Sequence, residues 1–171
     1  ILIGLVGSEM CIRDRAKIDK FMSIQGKESV DSIHKKLGHV MWEYVGMGRT
    51  AEGLKKGIAE LKEIRKEFET NLFIPGSKEG MNVELDKAIR LYDFITMGEL
   101  VAYDALNRNE SCGGHFREEY QTEEGEAKRD DENFFYVACW EYQGDDEKAP
   151  VLYKEPLVYE AIKVQTRNYK S

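Results

Sequence analysis

The side chains best suited to metal or catalytic chemistry are few in this sequence and stand mostly apart. Cys112 and His115 form a Cys-x-x-His pair in a glycine-rich stretch, which is half of a zinc site by spacing. His34 and His39 are five residues apart on a predicted helix, so they do not share one face, and Cys139 has no companion. Because tetrahedral zinc needs four ligands, the sequence predicts no metal site.

Motifs that bind nucleotides or assemble an active site do not occur in the sequence. No GxGxxG follows a predicted strand and no GxxxxGK[ST] loop is present, so a flavin or nucleotide site of the usual kind is not expected. The carboxylates fall on polar faces or in an acidic stretch, and nothing in their spacing forces one of them together with a histidine as an acid–base pair. We therefore predict no catalytic and no cofactor-binding residue in the chain.

Composition indicates a soluble globular protein of one domain. Hydrophobic residues make up 42% and charged residues 33% of the 171 residues, and no apolar run approaches the length of about 20 residues that spans a bilayer. The three cysteines are widely spaced and odd in number, which favours free thiols in a reducing compartment.

Acidic residues are concentrated in one stretch. Residues 110–133 hold nine Asp and Glu against three Lys and Arg, and this stretch carries most of the net charge of −7. The rest of the chain is nearly neutral and has no basic face for phosphate backbones, so nucleic-acid binding is not expected. We interpret the acidic run as a solvated loop or, alternatively, as a surface that meets a basic partner.

Three amphipathic helices are predicted within residues 16–109. Each has apolar residues at spacings of three and four, the pattern of a helix that buries one face. The stripes consist of Val30, Ile33, Leu37, Met41 and Tyr44 in the first helix, of Leu54, Ile58, Leu61, Arg65 and Phe68 in the second, and of Leu85, Ile89, Tyr92, Ile95, Leu100 and Tyr103 in the third. Short connections that contain glycine or proline favour an antiparallel three-helix bundle.

After Asn109 the sequence changes character. Residues 110–133 are predicted to form a long, irregular acidic loop, and Phe134–Tyr142, Val151–Tyr153 and Ile162–Gln165 have the aromatic and β-branched composition of strands. A short β-rich tail has too little core of its own. We therefore expect a mainly α fold in which residues 110–171 pack on the bundle and on another domain.

The first fifteen residues do not fit the pattern that follows. The string ILIGLVGSEMCIRDR shows neither helical nor strand periodicity, and its part VGSEMCIRDR resembles the translated readthrough of a sequencing adapter. We expect residues 1–15 to be non-native and poorly packed, with native sequence beginning near Ala16. The alternative is a genuine N-terminal strand.

Two longer segments resemble a known family. Residues 34–68 (HKKLGHVMWEYVGMGRTAEGLKKGIAELKEIRKEF) and 81–134 (MNVELDKAIRLYDFITMGELVAYDALNRNESCGGHFREEYQTEEGEAKRDDENF) are similar to the C-terminal helical domain of succinate dehydrogenase and fumarate reductase flavoprotein subunits. The family pattern acid-Ser-Arg-Gly-small-His-x-Arg corresponds to Glu110–Arg117, and Arg-Asp-Asp-x-Asn-aromatic corresponds to Arg129–Phe134. Cys112 stands where many members have arginine, and in this the chain resembles the Bacteroidetes-type branch with a cytochrome b partner.

This resemblance implies an oxidoreductase subunit of several hundred residues, to which the chain contributes the C-terminal part. Upstream domains in that family carry covalently attached FAD and the residues that catalyse hydride transfer between succinate and FAD, so this fragment alone is expected to be inactive. The implied partners are an iron–sulfur subunit, a membrane-embedded cytochrome b and the chain's own flavin domain, with electrons passing to or from quinone on the cytoplasmic face of the bacterial membrane. L-aspartate oxidase, which shares the helical domain, and a stand-alone helical adaptor are the alternatives.

The two family patterns are predicted to dock on the flavin domain without taking part in chemistry. Their Gly-Gly pair allows the backbone to approach a neighbour closely, and no partner for catalysis lies near His115 in the sequence. Arg117 is expected either to be held by Glu118 and Glu119 or to pair across to the flavin domain. The predicted docking residues are Glu110, Ser111, His115, Arg117, Arg129, Asp130 and Asp131.

Overall fold

A computed structural model of the chain describes residues 3–143 and 148–165, with side chains from Ile12 onward. In chain order its elements are α1 (Ile3–Ser23), β1 (Glu28–Ser29), α2 (Val30–Tyr44), β2 (Gly48–Arg49), α3 (Ala51–Asn71), β3 (Leu72–Phe73), α4 (Val83–Asn107), β4 (Phe116–Arg117), α5 (Asp131–Phe134), β5 (Tyr136–Glu141) and β6 (Val151–Pro156). The predicted mainly α fold is confirmed. None of the helices in the described part is long and apolar enough to cross a bilayer.

The chain divides into two compact units. One contains the residues before Met47 together with Glu52–Tyr103, and the other contains Met47–Ala51 and the residues from Asp104 onward. The long helices account for most of the first unit, whereas the acidic stretch and the β5–β6 hairpin belong to the second.

Helix α2 begins where the sequence supplies a capping residue. The Ser29 hydroxyl accepts a hydrogen bond from the Ser32 N–H at 3.2 Å, which satisfies one of the free amides of the first turn. The helix ends at Tyr44, just before a short connection that contains Gly46 and Gly48. Its buried residues are Val30, Ile33, Leu37 and Val40.

Helices α2 and α3 run antiparallel. Lys36, in the middle of α2, pairs with Glu67 near the end of α3 at 2.7 Å, whereas Tyr44 at the end of α2 packs on Gly57 near the start of α3. A Cβ atom at Gly57 would lie only 2.9 Å from the Tyr44 Cβ. The close approach of the two helices explains why a poor helix former stands inside α3.

Helix α4 returns antiparallel to α3. Arg65 of α3 pairs with Glu99 of α4, with the Nη2 and Oε2 atoms 2.5 Å apart. Phe68 lies further along α3 and packs on Tyr92, which is earlier in α4, with ring centroids 5.8 Å apart. The three predicted helices are therefore present and alternate in direction.

The buried face of α4 differs in part from the predicted stripe. Leu85 and Ile95 are buried as expected, but Leu100 is exposed. The face is completed by Ala88, Leu91, Ala102 and Ala105. The reason for the difference is that Phe94–Val101 is apolar on both sides of the helix, so periodicity alone does not decide which side faces the core.

A further long helix, α1, precedes the predicted bundle. Phe21 near its end is 2% exposed and packs edge-on against Phe68, with ring centroids 5.1 Å apart. The sequence analysis missed this helix because, among its described side chains from Ile12 onward, only Phe21 is fully buried, which makes too short an apolar stripe to show periodicity. Residues 3–15 belong to this helix, so the alternative of an N-terminal strand is wrong.

Residues 1–15 are expected to be dispensable for stability. Every residue from Ile12 to Ala16 is exposed. A chain that starts at Ala16 should therefore unfold at the same temperature as the longer chain in differential scanning calorimetry. A loss of several degrees, which corresponds to about 1 kcal/mol or more in a domain of this size, would contradict this prediction.

The second unit contains most of the β structure. Strand β2 pairs in parallel with β4, and β5 and β6 form an antiparallel hairpin in which Cys139 faces Tyr153. The burial of β5 alternates along the strand, as is usual for a sheet with one face covered. On its half-buried face, the Trp140 indole N–H donates to the Asp104 carboxylate at 2.7 Å.

Two of the three predicted strands are confirmed. The strand predicted at Phe134–Tyr142 is β5, which starts later because Phe134 ends α5, and Val151–Tyr153 is the first half of β6. The third prediction is wrong, since residues 162–165 form no strand. Within the described ranges no other strand pairs with them, and a strand needs a hydrogen-bonded neighbour.

The acidic stretch is more regular than predicted. The Gly125 N–H donates to the Thr122 carbonyl at 2.9 Å and closes a turn, which the positive φ of Gly125 (81°) permits. Gln121 and Ala127, on either side of the turn, form an antiparallel bridge. The exposed acids of this segment are thus displayed on a folded loop.

Candidate docking site around the Glu110–Arg117 turn

The Gly-Gly pair forms the tip of a tight turn. The Cys112 N–H donates to the His115 carbonyl at 2.8 Å, and the His115 N–H donates back to the Cys112 carbonyl at 3.0 Å. Gly113 has a φ of 60°, a conformation that favours glycine, and a Cβ atom at Gly113 or Gly114 would have no neighbour within 4 Å. The tip is therefore open to solvent or to another protein segment.

Below the tip, two buried polar residues hold the turn in place. The Ser111 hydroxyl accepts from the Arg117 N–H at 2.8 Å and donates to the Arg117 carbonyl at 3.1 Å. The Glu110 carboxylate accepts from Arg108 at 2.7 Å and from the Asp130 N–H at 2.9 Å. Both side chains are thus satisfied by groups of this chain, as buried polar groups must be.

The Arg117 guanidinium is buried, with only 2% of the residue exposed. It donates to Glu119 at 3.1 Å and to the carbonyls of Ala105 and Leu106 at 3.0 and 3.3 Å, and it lies over the Tyr120 ring. The two carbonyls are in the last turn of α4, where the helix dipole favours a cation. Of the two expected arrangements, this geometry matches the one in which Arg117 is held by an acid of its own chain, and that acid is Glu119.

Glu119 connects this arginine to the start of α3. Its carboxylate also accepts a hydrogen bond from the Ala51 N–H, the first amide of the helix. Burial by itself would raise the pKa of Glu119, but the hydrogen bonds from Ala51 and Arg117 outweigh it and the pKa lies below its ordinary value. Glu119 is therefore ionised when it caps the helix and binds Arg117.

His115 is held between two arginines. Its Nε2 lies 2.9 Å from the Arg108 carbonyl, to which it donates, so Nδ1 accepts from the Arg49 guanidinium at 2.7 Å. Burial lowers the pKa of His115; the hydrogen bond to the Arg108 carbonyl opposes this, and the charges of Arg49, Arg117 and Arg108 lower the pKa further. The imidazole is therefore neutral at pH 7.

Stability is expected to fall on acidification because His115 is neutral in the folded chain. An unfolded histidine takes up a proton near pH 6.5, whereas the folded His115 does so only at lower pH, so its contribution is complete above pH 6.5 and is lost as the pH falls towards the folded pKa. Urea unfolding of the wild type and of His115→Gln between pH 7.5 and 5 should show a smaller loss in the variant. The exposed His39 provides the control, and an equal pH dependence for His115→Gln and His39→Gln would contradict the prediction.

The second family pattern lies nearer the surface. Asp130 caps the short helix α5 by accepting from the Asn133 N–H at 3.2 Å. Arg129 donates to the exposed Asp131 carboxylate at 3.0 Å and to the Gln165 carbonyl at 3.4 Å. The predicted docking residues thus divide into a buried set (Glu110, Ser111 and Arg117) and a half-buried or exposed set (His115, Arg129, Asp130 and Asp131).

The sequence analysis missed two residues that shape this region. Arg108 donates to the carbonyls of Phe134 and Tyr136 at 3.1 Å as well as to Glu110, and Arg49 donates to His115. Arg108 directly follows the end of α4 at Asn107, and a basic residue at the end of a helical pattern is a signal that the sequence does contain. Nothing in the sequence marks Arg49, because it is 66 residues away from its partner His115.

The Cys-x-x-His pair is part of this turn. Both ring nitrogens of His115 have partners within the chain, and Cys112 and Cys139 are free thiols. Among the residues that the structure describes, no group of three or more His, Cys, Asp or Glu is placed to hold a metal ion.

Comparisons with known families, sequences and solved structures point to the same protein family. Residues 34–169 match the family described as fumarate reductase flavoprotein C-term. A fumarate reductase flavoprotein subunit of Proteus vulgaris is 34% identical over 123 residues, which are 72% of this chain and 19% of that subunit. An L-aspartate oxidase of Nicotiana tabacum is 34% identical over 89 residues, which are 52% of this chain and 13% of that protein.

The fold agrees with this family. A solved quinol–fumarate reductase with menaquinol molecules superposes with a TM-score of 0.73 and 25% identity, over 87% of this chain and 25% of the compared chain. This chain spans about a fifth of the length of the Proteus vulgaris subunit. The chain belongs to the family of fumarate reductase and succinate dehydrogenase flavoproteins, in which it corresponds to the C-terminal domain.

Proposed function

We propose that this chain is the C-terminal structural domain of a flavoprotein subunit that interconverts succinate and fumarate. The observation that carries the proposal is the family match over residues 34–169, which includes the folded Glu110–Arg117 turn. The sequence offers no glycine-rich phosphate loop, so its residues do not fit a flavin. FAD and the dicarboxylate would be bound by the rest of the subunit.

Within such a subunit, the role of the turn would be docking. Glu110, Ser111 and Arg117 would keep the turn in shape, since their side chains are used inside the chain. The open Gly-Gly tip, with His115 behind it and the Arg129–Asp131 run, would contact the flavin-binding part. Glycine at the tip permits a backbone-to-backbone approach that a side chain would block.

The partners of the proposed enzyme are an iron–sulfur subunit and a membrane-embedded cytochrome b, through which electrons would reach or leave quinone. The similarity to a solved quinol–fumarate reductase supports this part of the proposal. The flavoprotein would lie on the cytoplasmic face of the bacterial membrane. A Bacteroidetes-type origin, suggested by Cys112, stays a prediction.

An L-aspartate oxidase is the second candidate within the same class. The relative from Nicotiana tabacum covers 52% of this chain, whereas the fumarate reductase subunit covers 72%, which favours the succinate–fumarate reaction. A stand-alone helical adaptor would belong to another class. An in-frame GxGxxG coding region upstream in the DNA would support the flavoprotein, and a start codon near Ala16 would support the adaptor.

Purification of the full-length subunit and of the 171-residue chain tests the proposal. The subunit should be yellow and should transfer electrons from succinate, but not from aspartate, to an artificial acceptor. The 171-residue chain should be colourless and inactive with either substrate. Flavin bound to the short chain, or a subunit that oxidises aspartate and not succinate, would overturn the proposal.

The docking role is tested by His115→Ala in the full-length subunit, with His39→Ala as the control. We expect a lower melting temperature or flavin content for His115→Ala, while turnover per bound flavin stays within a few-fold of the wild type. Loss of an essential acid, base or electrostatic group would instead reduce turnover per flavin by about a thousandfold. That result, with stability intact, would place His115 in the active site.

A further inference from the structure

Helix α4 has an outer face that is unusually apolar for a surface in water. Between Phe94 and Val101 the only polar side chains are Thr96 and Glu99. Both bind Arg65 of α3, whose Nη2 donates to the Thr96 hydroxyl at 3.0 Å and to the Glu99 carboxylate at 2.5 Å. The polar groups of this stretch are thus used inside the first unit.

The opposite side of the same stretch is apolar and exposed. Phe94 and Met97 are 50% and 60% exposed, and Leu100 and Val101 are 37% and 38% exposed. The His34 ring of α2 stacks on Phe94, with centroids 5.6 Å apart, and extends the face to a second helix. A surface helix normally carries charged residues on its outer side, and a helix that is apolar on both sides is normally buried on both.

We propose that this α4 face, formed by Phe94, Met97, Leu100, Val101 and His34, is where the preceding part of the same flavoprotein chain docks. The inference rests on the proposed function, because it requires a subunit that is longer than this chain. The chain corresponds to 19% of the Proteus vulgaris subunit and matches a C-terminal family, so the greater part of such a subunit would precede it.

The chemistry of the face favours a permanent partner. Obligate interfaces are more apolar than transient ones and resemble a domain core, and this face carries no charged side chain of α4 between Phe94 and Val101 other than Glu99, which is paired with Arg65. A segment of the same polypeptide is always present at a high effective concentration, so it would cover the face as soon as both parts fold.

The test places lysine in the middle of the face. Met97→Lys in the full-length subunit should lower the melting temperature by several degrees, because the covering segment would bury the lysine charge without a partner. In the 171-residue chain the same change should have no effect, because the lysine would be solvated. Met81→Lys is the matched control, since Met81 is 98% exposed and precedes α4.

A second measurement avoids substitutions. Oxidation of methionine by dilute hydrogen peroxide, quantified by mass spectrometry, should be fast for Met97 in the 171-residue chain and slow in the full-length subunit. Equal reactivity in both chains, or equal destabilisation of the subunit by Met97→Lys and Met81→Lys, would overturn the inference.

If a different molecule covers the α4 face, the experiments give different results, and each of those results would also overturn the inference. Protection of Met97 only after another subunit is added would assign the face to that subunit. A dimer of the 171-residue chain that Met97→Lys dissociates would assign it to a second copy. These readouts need neither flavin nor succinate, so their failure would leave the proposed function untouched, whereas a subunit without flavin would count against the proposed function.

Discussion

Replacing Arg117 with alanine is expected to lower the free energy of unfolding of the chain by about 3 kcal/mol, because its buried guanidinium donates to a buried carbonyl and a buried acceptor left without a donor costs about 1–3 kcal/mol. The variant would leave the Ala105 and Leu106 carbonyls without this donor and would remove the partner of Glu119. Urea unfolding monitored by circular dichroism measures the loss.

Two further variants separate the causes of this effect. Arg129→Ala removes a pair with the exposed Asp131, so it should cost less than about 1 kcal/mol. Arg117→Lys keeps the charge but loses the planar fork that reaches two carbonyls and Glu119 together, and we expect an intermediate loss. If Arg117→Ala costs no more than Arg129→Ala, the guanidinium does not hold the turn to the end of α4.

Phe21→Ala is expected to cost about 3–5 kcal/mol, the usual range for removing a buried aromatic side chain. The Phe21 ring contacts Phe68 edge-on and lies 5.5 Å from the Tyr92 ring, so its loss opens a cavity between three helices. Equilibrium unfolding in guanidinium chloride measures the change in free energy.

The control for this variant lies on the same helix. Ile12→Ala should change the free energy of unfolding by less than about 0.5 kcal/mol, because Ile12 is exposed. Together with the chain that starts at Ala16, the pair would show that α1 stabilises the first unit through its C-terminal half. A small effect of Phe21→Ala would mean that α1 is not packed in solution as described.

Helices α2, α3 and α4 could be predicted from the sequence because their information is local, whereas α1 was missed. The stripe of α2, and the glycine and proline residues of the connections such as Gly46 and Pro75, lie within one or two turns of the residues they affect. The family could also be recognised from the sequence, since the Glu110–Arg117 and Arg129–Phe134 patterns are contiguous strings. That the sequence contains no GxGxxG or GxxxxGK[ST] motif is likewise visible without the structure.

Only the tertiary structure decided which polar residues are buried, which distant residues pair with each other, and which side of α4 faces the core. A sequence pattern cannot distinguish a buried arginine from a solvated one, and Arg117 is buried because α4 carbonyls more than ten residues away need a donor. Arg49 reaches His115 across 66 residues, a pairing that no local spacing encodes. Phe94–Val101 is apolar on both sides, so the side that packs on α3 is selected by Arg65, which binds Glu99. The physical reason is the same in each case: these contacts join distant segments, and only packing determines which of them meet.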